Sequence, residues 1–249
     1  MKHHKILVFS LVAAVVPFLS PAATDAERNQ SGMMNARKVL ADEGSAGGVK
    51  VLFLGNSITL HGSLPKIGWT NVWGMAASER DKDYVHLVTR AIEAKTGRAA
   101  EVKVRNLAAF ERNYRTWDVA KEMPDLKAFA PDYLIVALGE NVPNLATLDD
   151  ARDYQSAFAR LIGRFMNVPK RPRAVIRGVF WRNPVKDEQM HRVADACGIP
   201  FVRADVSDQP GMTAKGLFWH QGVQNHPGDR GMREIADRIL SAFFAEKGH

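Results

Sequence analysis

Cysteine is nearly missing from this chain. Cys197 is the single one in 249 residues, so no disulfide can form within the chain, even in a compartment that permits one. It precedes Gly198-Ile199-Pro200 at a predicted helix end, where a small apolar residue suits a buried position. A membrane-length apolar run is also lacking. The N-terminal run at 6–19 has about 14 residues, short of the roughly 20 that a bilayer span needs. There is no internal repeat, no low-complexity tract and no linker that would divide off a second domain. No nucleic-acid recognition motif appears, and the basic residues are scattered. The formal charge of +7 therefore points to anionic surroundings such as acidic glycans or lipid headgroups rather than to nucleic acid. Nothing in the sequence calls for a cofactor.

What is present begins with a leader. MKHHK is basic, residues 6–19 are almost wholly apolar, and Ser20-Pro21-Ala22-Ala23 are small. These are the three regions of a secretory signal peptide, with cleavage near Ala22 or Ala23. An uncleaved N-terminal anchor is the other reading of this run, and the run's shortness speaks against it. With no cysteine near the cleavage site, a lipoprotein is disfavoured. Residues 1–23 are read as leader, which makes the protein secreted or periplasmic, without stable membrane insertion. About 226 residues remain, and losing Lys2 and Lys5 leaves a charge of +5. That length suits one substantial domain, and 46% hydrophobic with 24% charged residues is an ordinary globular balance. Residues 24–48 are polar and end in GSAGG, a flexible lead-in with a short helix over 33–41. The folded domain is then 49–249.

Hydrophobic patterning alternates along that domain. Apolar strands are predicted at 49–54, 102–107, 133–138, 174–180 and 200–204. Amphipathic helices are predicted at 84–95, 114–129 with an interruption at Pro124, 151–166, 188–197 and 229–246. Continuous apolar strands such as YLIVAL are buried on both faces, which predicts a parallel sheet covered by helices. The fold class is α/β, a three-layer α/β/α sandwich with about five parallel strands. Right-handed crossovers put every strand C-terminus on one edge, where ligands of such sheets bind. Gly55-Asn56-Ser57, Gly139-Glu140-Asn141 and Trp181-Arg182-Asn183 are therefore predicted to converge.

Ser57, just beyond the first strand and preceded by Gly55, sits at that working edge. Backbone N–H groups pointing outward there can stabilise an oxyanion, and the hydroxyl needs a base to become a nucleophile. Taken alone, the serine is better explained as a helix cap. Two further segments change the balance. Asn141 in ALGEN can present its side-chain amide to an anionic oxygen. His226, in the loop before the last helix, is stiffened by Pro227 and can supply the base.

These blocks resemble those of the SGNH hydrolases, the GDSL-type esterase superfamily. GNSIT stands for the family's GDS block, GEN for its GxN and HPGDRGM for its HPxxxG, and the likeness spans roughly 49–246. The resemblance implies a flavodoxin-like sandwich in which Ser57 is the nucleophile and His226 the base. It also implies an oxyanion hole formed by the Ser57 amide, the backbone amide of Glu111 and the Asn141 side chain. Family activities are mostly deacylations of lipids, thioesters or acetylated sugars.

Three positions depart from the family pattern. Asn56 replaces the usual Asp beside the serine. Glu111 replaces the glycine of the second block, five residues after Asn106. Val223 stands where the family places the acid that orients the histidine. Glu140 and Glu111 are ranked first as replacement acids because both follow strands at the working edge, with Asp205 and Asp229 behind them. Simple surface ion pairs are an equal explanation for these carboxylates. A backbone carbonyl holding the ring, and thus a Ser–His dyad, is the other option. Trp69 and Trp73, in the long segment after Ser57, and Trp181 and Arg182 are read as a substrate rim, with core anchoring as the alternative for the two tryptophans. His220, His226 and Asp229 match no familiar metal-ligand spacing, so no metal is assigned. The function expected is an exported serine esterase that removes a short acyl group, acetyl first, from a carbohydrate. A non-catalytic glycan-binding protein and a sugar acyltransferase are the alternatives.

Overall fold

The computed structural model describes residues 48–244. The leader at 1–23, the lead-in with its predicted helix at 33–41 and the last five residues lie outside them. Five strands form one sheet: β1 Val49–Gly55, β2 Ala100–Asn106, β3 Tyr133–Ala137, β4 Arg173–Arg177 and β5 Phe201–Val202. Their order is β2-β1-β3-β4-β5, and all neighbours are parallel. This is the predicted sheet with helices on both faces.

Alternation along β1 shows how the layers form. Val51 and Phe53 point to one face, where they pack with Tyr84, Val88 and Ile92 of α1 (Tyr84–Thr96) and with Met232, Ile235 and Ile239 of α8 (Asp229–Phe244). Leu52 and Leu54 point to the other face. There they meet Phe110 of α2 (Ala108–Asn113), Tyr154, Phe158 and Ile162 of α5 (Leu148–Met166), and Met190 and Val193 of α6 (Pro184–Cys197). Residues two apart on a strand share a face, so one seven-residue strand is buried on both sides. Each large side chain buried this way contributes roughly 1.5–3 kcal/mol relative to exposure.

Local signals set the helix starts. Thr147 and Asp150 form a reciprocal capping box before α5. Asn183 caps α6 and Pro184 fills its first turn, so this helix starts four residues before the position its apolar pattern suggests. The predicted helix over 114–129 is instead two short helices, α3 (Val119–Glu122) and α4 (Pro124–Phe129), and α2 ends just before it. The side chain of Asp118 caps α3 anew, and Pro124, lacking an N–H, can only open α4. A short α7 (Gln221–Gln224) precedes the loop that carries His226. Among the described residues no helix is long and apolar enough to cross a membrane.

Candidate active site

β1 ends in a turn whose sequence is sterically dictated. A Cβ at Gly55 would lie 1.8 Å from the Thr59 hydroxyl oxygen, so the residue before Asn56 must be glycine. The Asn56 carbonyl accepts from the amides of Thr59 and Leu60 at 3.0 and 2.9 Å, and its side-chain Oδ1 accepts from the amide of Ile58 at 3.2 Å. This tight turn presents Ser57 at the sheet edge. Its Oγ lies 2.8 Å from Nε2 of His226, which is 169 residues away in sequence.

The other nitrogen of His226 settles the ring's state. Nδ1 lies 2.7 Å from the carbonyl oxygen of Gly222. A carbonyl can only accept, so Nδ1 carries the hydrogen and Nε2 keeps its lone pair for the Ser57 hydroxyl. This is the tautomer a general base needs. Burial pushes the imidazole pKa down to about 4, with the nearby His61 adding to the shift and the Gly222 bond opposing it. The ring is therefore neutral throughout the ordinary pH range.

No expected carboxylate orients this ring. Glu111 and Glu140 are buried behind the cleft with other partners, described below. Asp205 pairs with Arg203 at 3.0 Å. Asp229 accepts from the Ser78 amide and hydroxyl at 2.8 and 2.7 Å and pairs with Lys82. Val223 is buried in an apolar cluster with Trp69, Met75 and Ala214, where an ionised acid would be costly. The backbone-carbonyl option describes the geometry.

The oxyanion side also differs from expectation. The Glu111 amide donates to the Leu107 carbonyl at 3.1 Å, inside the first turn of α2, and is not offered to a substrate. What Glu111 contributes is its carboxylate. Oε2 accepts from Asn141 Nδ2 at 2.7 Å, while Oε1 accepts from the Gly139 amide at 2.6 Å and the Asn141 amide at 3.4 Å. Arg112 donates to Asn141 Oδ1 at 3.2 Å. The Asn141 amide is thus held at both ends, and its second Nδ2 hydrogen is left over for the cleft. Gly139 takes a φ of +122°, and a Cβ there would meet Val179 at 2.6 Å, so the turn that delivers Asn141 requires glycine.

Asn56 joins the two carboxylates. Its Nδ2 donates to Glu140 at 2.6 Å and to Glu111 at 3.1 Å. Glu140 also binds Arg177 at 2.7 Å and the Phe180 amide at 3.0 Å. The side chains of Glu140 and Arg177 are 3% and 0% exposed, so this is a desolvated pair. Burial alone would raise the Glu140 pKa, but Arg177 and the hydrogen bonds outweigh it and hold the group below its usual value. Glu111 has no such counter-ion. Burial, then repulsion from Glu140, pushes it up to about 6.

Ser57, His226, Asn141, Arg112, His61, His220, Asn106, Ile67 and Met75 line a cleft of about 230 Å³. A wider depression between α1 and α8 is lined by Ala91, Asp237 and Leu240 and holds neither nucleophile nor base. Of the predicted rim, Trp69 is fully buried and belongs to the core. Trp73 stacks edge-on against Trp69 and donates to the Ala77 carbonyl at 3.0 Å. Trp181 packs edge-on against the His226 ring at 5.3 Å and is tied to the Asn225 carbonyl, so it supports the base. Arg182 is exposed away from the cleft lining. Among the described residues no cluster of three or more His, Cys, Asp or Glu side chains could hold a metal ion.

The sequence matches no family model and no curated protein. Solved structures do match. LAE5, an alpha/beta hydrolase enzyme from the metagenome of Lake Arreo, Spain, aligns over 80% of this chain and 95% of its own, with a TM-score of 0.53 at 20% identity. The acetylxylan esterase Axe2 from Geobacillus stearothermophilus aligns over 80% and 95%, with a TM-score of 0.51 at 17% identity. This chain shares their fold. The likeness is consistent with the SGNH resemblance carried by GNSIT, GEN and HPGDRGM.

Sequence reasoning missed several cleft residues. His61 follows Ser57 by four positions and lies on the same edge, a signal that was available. Its Nδ1 is tied to the Gly62 carbonyl at 2.6 Å, and burial lowers its pKa. The i−4 spacing of Gly222 from His226 was legible only as a spacing. A Cβ at Gly222 would crowd the His220 ring at 2.9 Å.

Proposed function

We propose that this protein is an exported serine esterase of the SGNH type that removes a short acyl group, acetyl first, from a carbohydrate. The observation that carries the proposal is the 2.8 Å approach of the Ser57 hydroxyl to Nε2 of His226 beside the Asn141 amide. In this reading Ser57 attacks the ester carbonyl while His226 takes its proton. The developing oxyanion is held by the free Nδ2 hydrogen of Asn141 and the Ser57 amide. His226 then protonates the leaving alcohol, and water releases the acid by the same steps in reverse roles.

Size and surroundings support a small acyl group on a polar scaffold. A cleft of about 230 Å³ lies below the roughly 300–1,000 Å³ of pockets that enclose larger ligands. Ile67 and Met75 supply its apolar wall. Outside it, Trp219 is 70% exposed and stands against His220, a cleft residue. An exposed indole at a polar cleft suits stacking on a sugar face. Axe2 is named an acetylxylan esterase, and substitutions of a serine, a histidine and an aspartate in it are called catalytic mutants. The N-terminal signal pattern supports export.

Purified mature protein is expected to release acetate from an aryl acetate and from acetylated xylo-oligosaccharides, with loss of turnover in Ser57→Ala and His226→Ala. Binding of an acetylated glycan with no acetate release would favour a non-catalytic lectin-like role instead. Transfer of acetyl to an added sugar acceptor would favour an acyltransferase.

A further inference from the structure

Two carboxylates sit buried behind an oxyanion-binding amide, where negative charge would normally oppose the reaction. We propose that Glu111 is a positioning residue for the Asn141 amide, and that Asn56, Glu111 and Glu140 act with it as one interlocked unit. The proposal rests on the esterase reading above and adds to it a residue that never touches substrate.

The argument is one of donors and acceptors. Every hydrogen-bond partner of the Glu111 carboxylate is a donor: Asn56 Nδ2 and the Gly139 and Asn141 amides on Oε1, and Asn141 Nδ2 on Oε2. An ionised carboxylate accepts only, and here it fixes which end of the Asn141 side chain is nitrogen. Arg112 on Oδ1 fixes the same orientation from the other side. A proton added to Glu111 removes its charge and adds an O–H that finds no acceptor among these partners. Oε2 has Asn141 Nδ2 as its single partner, so protonation there weakens the one bond that anchors the amide nitrogen. Asn56 completes the unit. Its Oδ1 accepts from the Ile58 amide while its Nδ2 donates to both carboxylates, a pair of roles that aspartate cannot fill.

The charged and titratable groups facing Glu111 are Glu140 after β3, Arg177 at the end of β4, Lys186 on α6 and Tyr154 on α5, with Arg112 beside it on α2. Glu140 opposes ionisation of Glu111 and is itself neutralised by Arg177. Lys186 is fastened to the carbonyls of Gly139 and Val142 and brings positive charge to the pair. Arg177 and Lys186 thus bring positive charge to the two carboxylates, while Asp187 adds a further negative group beside Arg177.

The test is the pH dependence of kcat/KM on an aryl acetate, which reports groups of the free enzyme. Wild type is expected to lose activity as pH falls through about 6, where Glu111 protonates. A second loss is expected near pH 4, where His226 protonates. Glu111→Gln carries a permanent donor and mimics the protonated acid. Its kcat is expected to fall about 10²–10³-fold, as for loss of one oxyanion donor, with KM changed only a few-fold and the step near 6 absent. Asn141→Ala should lose the same step while keeping Glu111. Three results would overturn the proposal: a wild-type profile with no step near 6, a Glu111→Gln enzyme with kcat within about threefold of wild type, or a step that survives in Asn141→Ala. If Glu111→Gln does not fold, the wild-type and Asn141→Ala profiles decide alone. Ser57-dependent turnover with any of these results sinks this inference only. Absence of Ser57-dependent turnover sinks the esterase reading and this inference together.

Discussion

The two walls of the cleft hold their working groups by opposite means. On the base side the His226 ring rests on a neutral dipole, the carbonyl of Gly222 at 2.7 Å. On the oxyanion side the Asn141 amide rests on a charge, the Glu111 carboxylate at 2.7 Å. A carbonyl fixes the tautomer as well as a carboxylate does, but it offers only partial charge to the imidazolium that forms during proton transfer. Burial lowers the His226 pKa, and the Gly222 carbonyl offsets that shift only in part. A carboxylate under the hole brings the reverse problem, because it holds its amide firmly but needs donors and cations on every side. Asn56, Arg177 and Lys186 supply them. In this cleft a carbonyl therefore points the His226 ring, while the Asn141 amide is held electrostatically.

The comparison breaks most completely if Ser57→Ala retains turnover. We expect a loss of at least about 10⁴-fold in kcat, read as acetate release, because removing a nucleophile or its base eliminates the acyl-enzyme route. Asn56→Asp probes the charged wall. It removes two donations and adds a third carboxylate, so it is expected to cost about 3–5 kcal/mol of stability at neutral pH. The new acid's folded pKa is raised, so the cost is present above that pKa and shrinks as pH falls toward 5. Denaturant midpoints of variant and wild type at both pH values would show whether the gap narrows. Val223→Asp probes the neutral wall by restoring an acid three residues before His226. Val223 is fully buried beside Trp69 and Met75, so the charge is expected to destabilise the fold by about 3 kcal/mol without raising kcat. A variant more active than wild type would show that the carbonyl is a handicap. The smallest effect is expected for Gly222→Ala, which keeps the carbonyl but crowds the His220 ring at 2.9 Å. A shift of ten-fold or less in kcat/KM, about 1.4 kcal/mol, is expected from a ring that can give way.

Legibility in the sequence followed physical locality. Strands as apolar as YLIVAL could only be buried on both faces, and the alternating helices then required a parallel sheet with its working edge at the strand C-termini. Ser57 and Asn141 follow strands directly, so placing those strands placed them. His226 precedes a helix whose periodicity was plain. The interruption at Pro124 was legible in the helix over 114–129, but apolar spacing alone does not register the fresh cap at Asp118. Rim and core stay equally open for Trp69 in the sequence, since its flanking glycine and loop position say nothing about depth. The acid could not be found because the ring's partner is a main-chain oxygen, and every residue type carries one.

The sequence by itself determined the layers, the edge and the set of polar residues carried to it, since these follow from period, burial and short-range sterics such as Gly55 against Thr59. Only the tertiary structure decided which polar group meets which. Glu111 and Glu140 were equally good candidates to hold the base, yet both face Asn56 instead. A hydrogen bond is settled over a few tenths of an ångström, here between atoms 169 residues apart in sequence, and one-dimensional patterning carries no information at that scale.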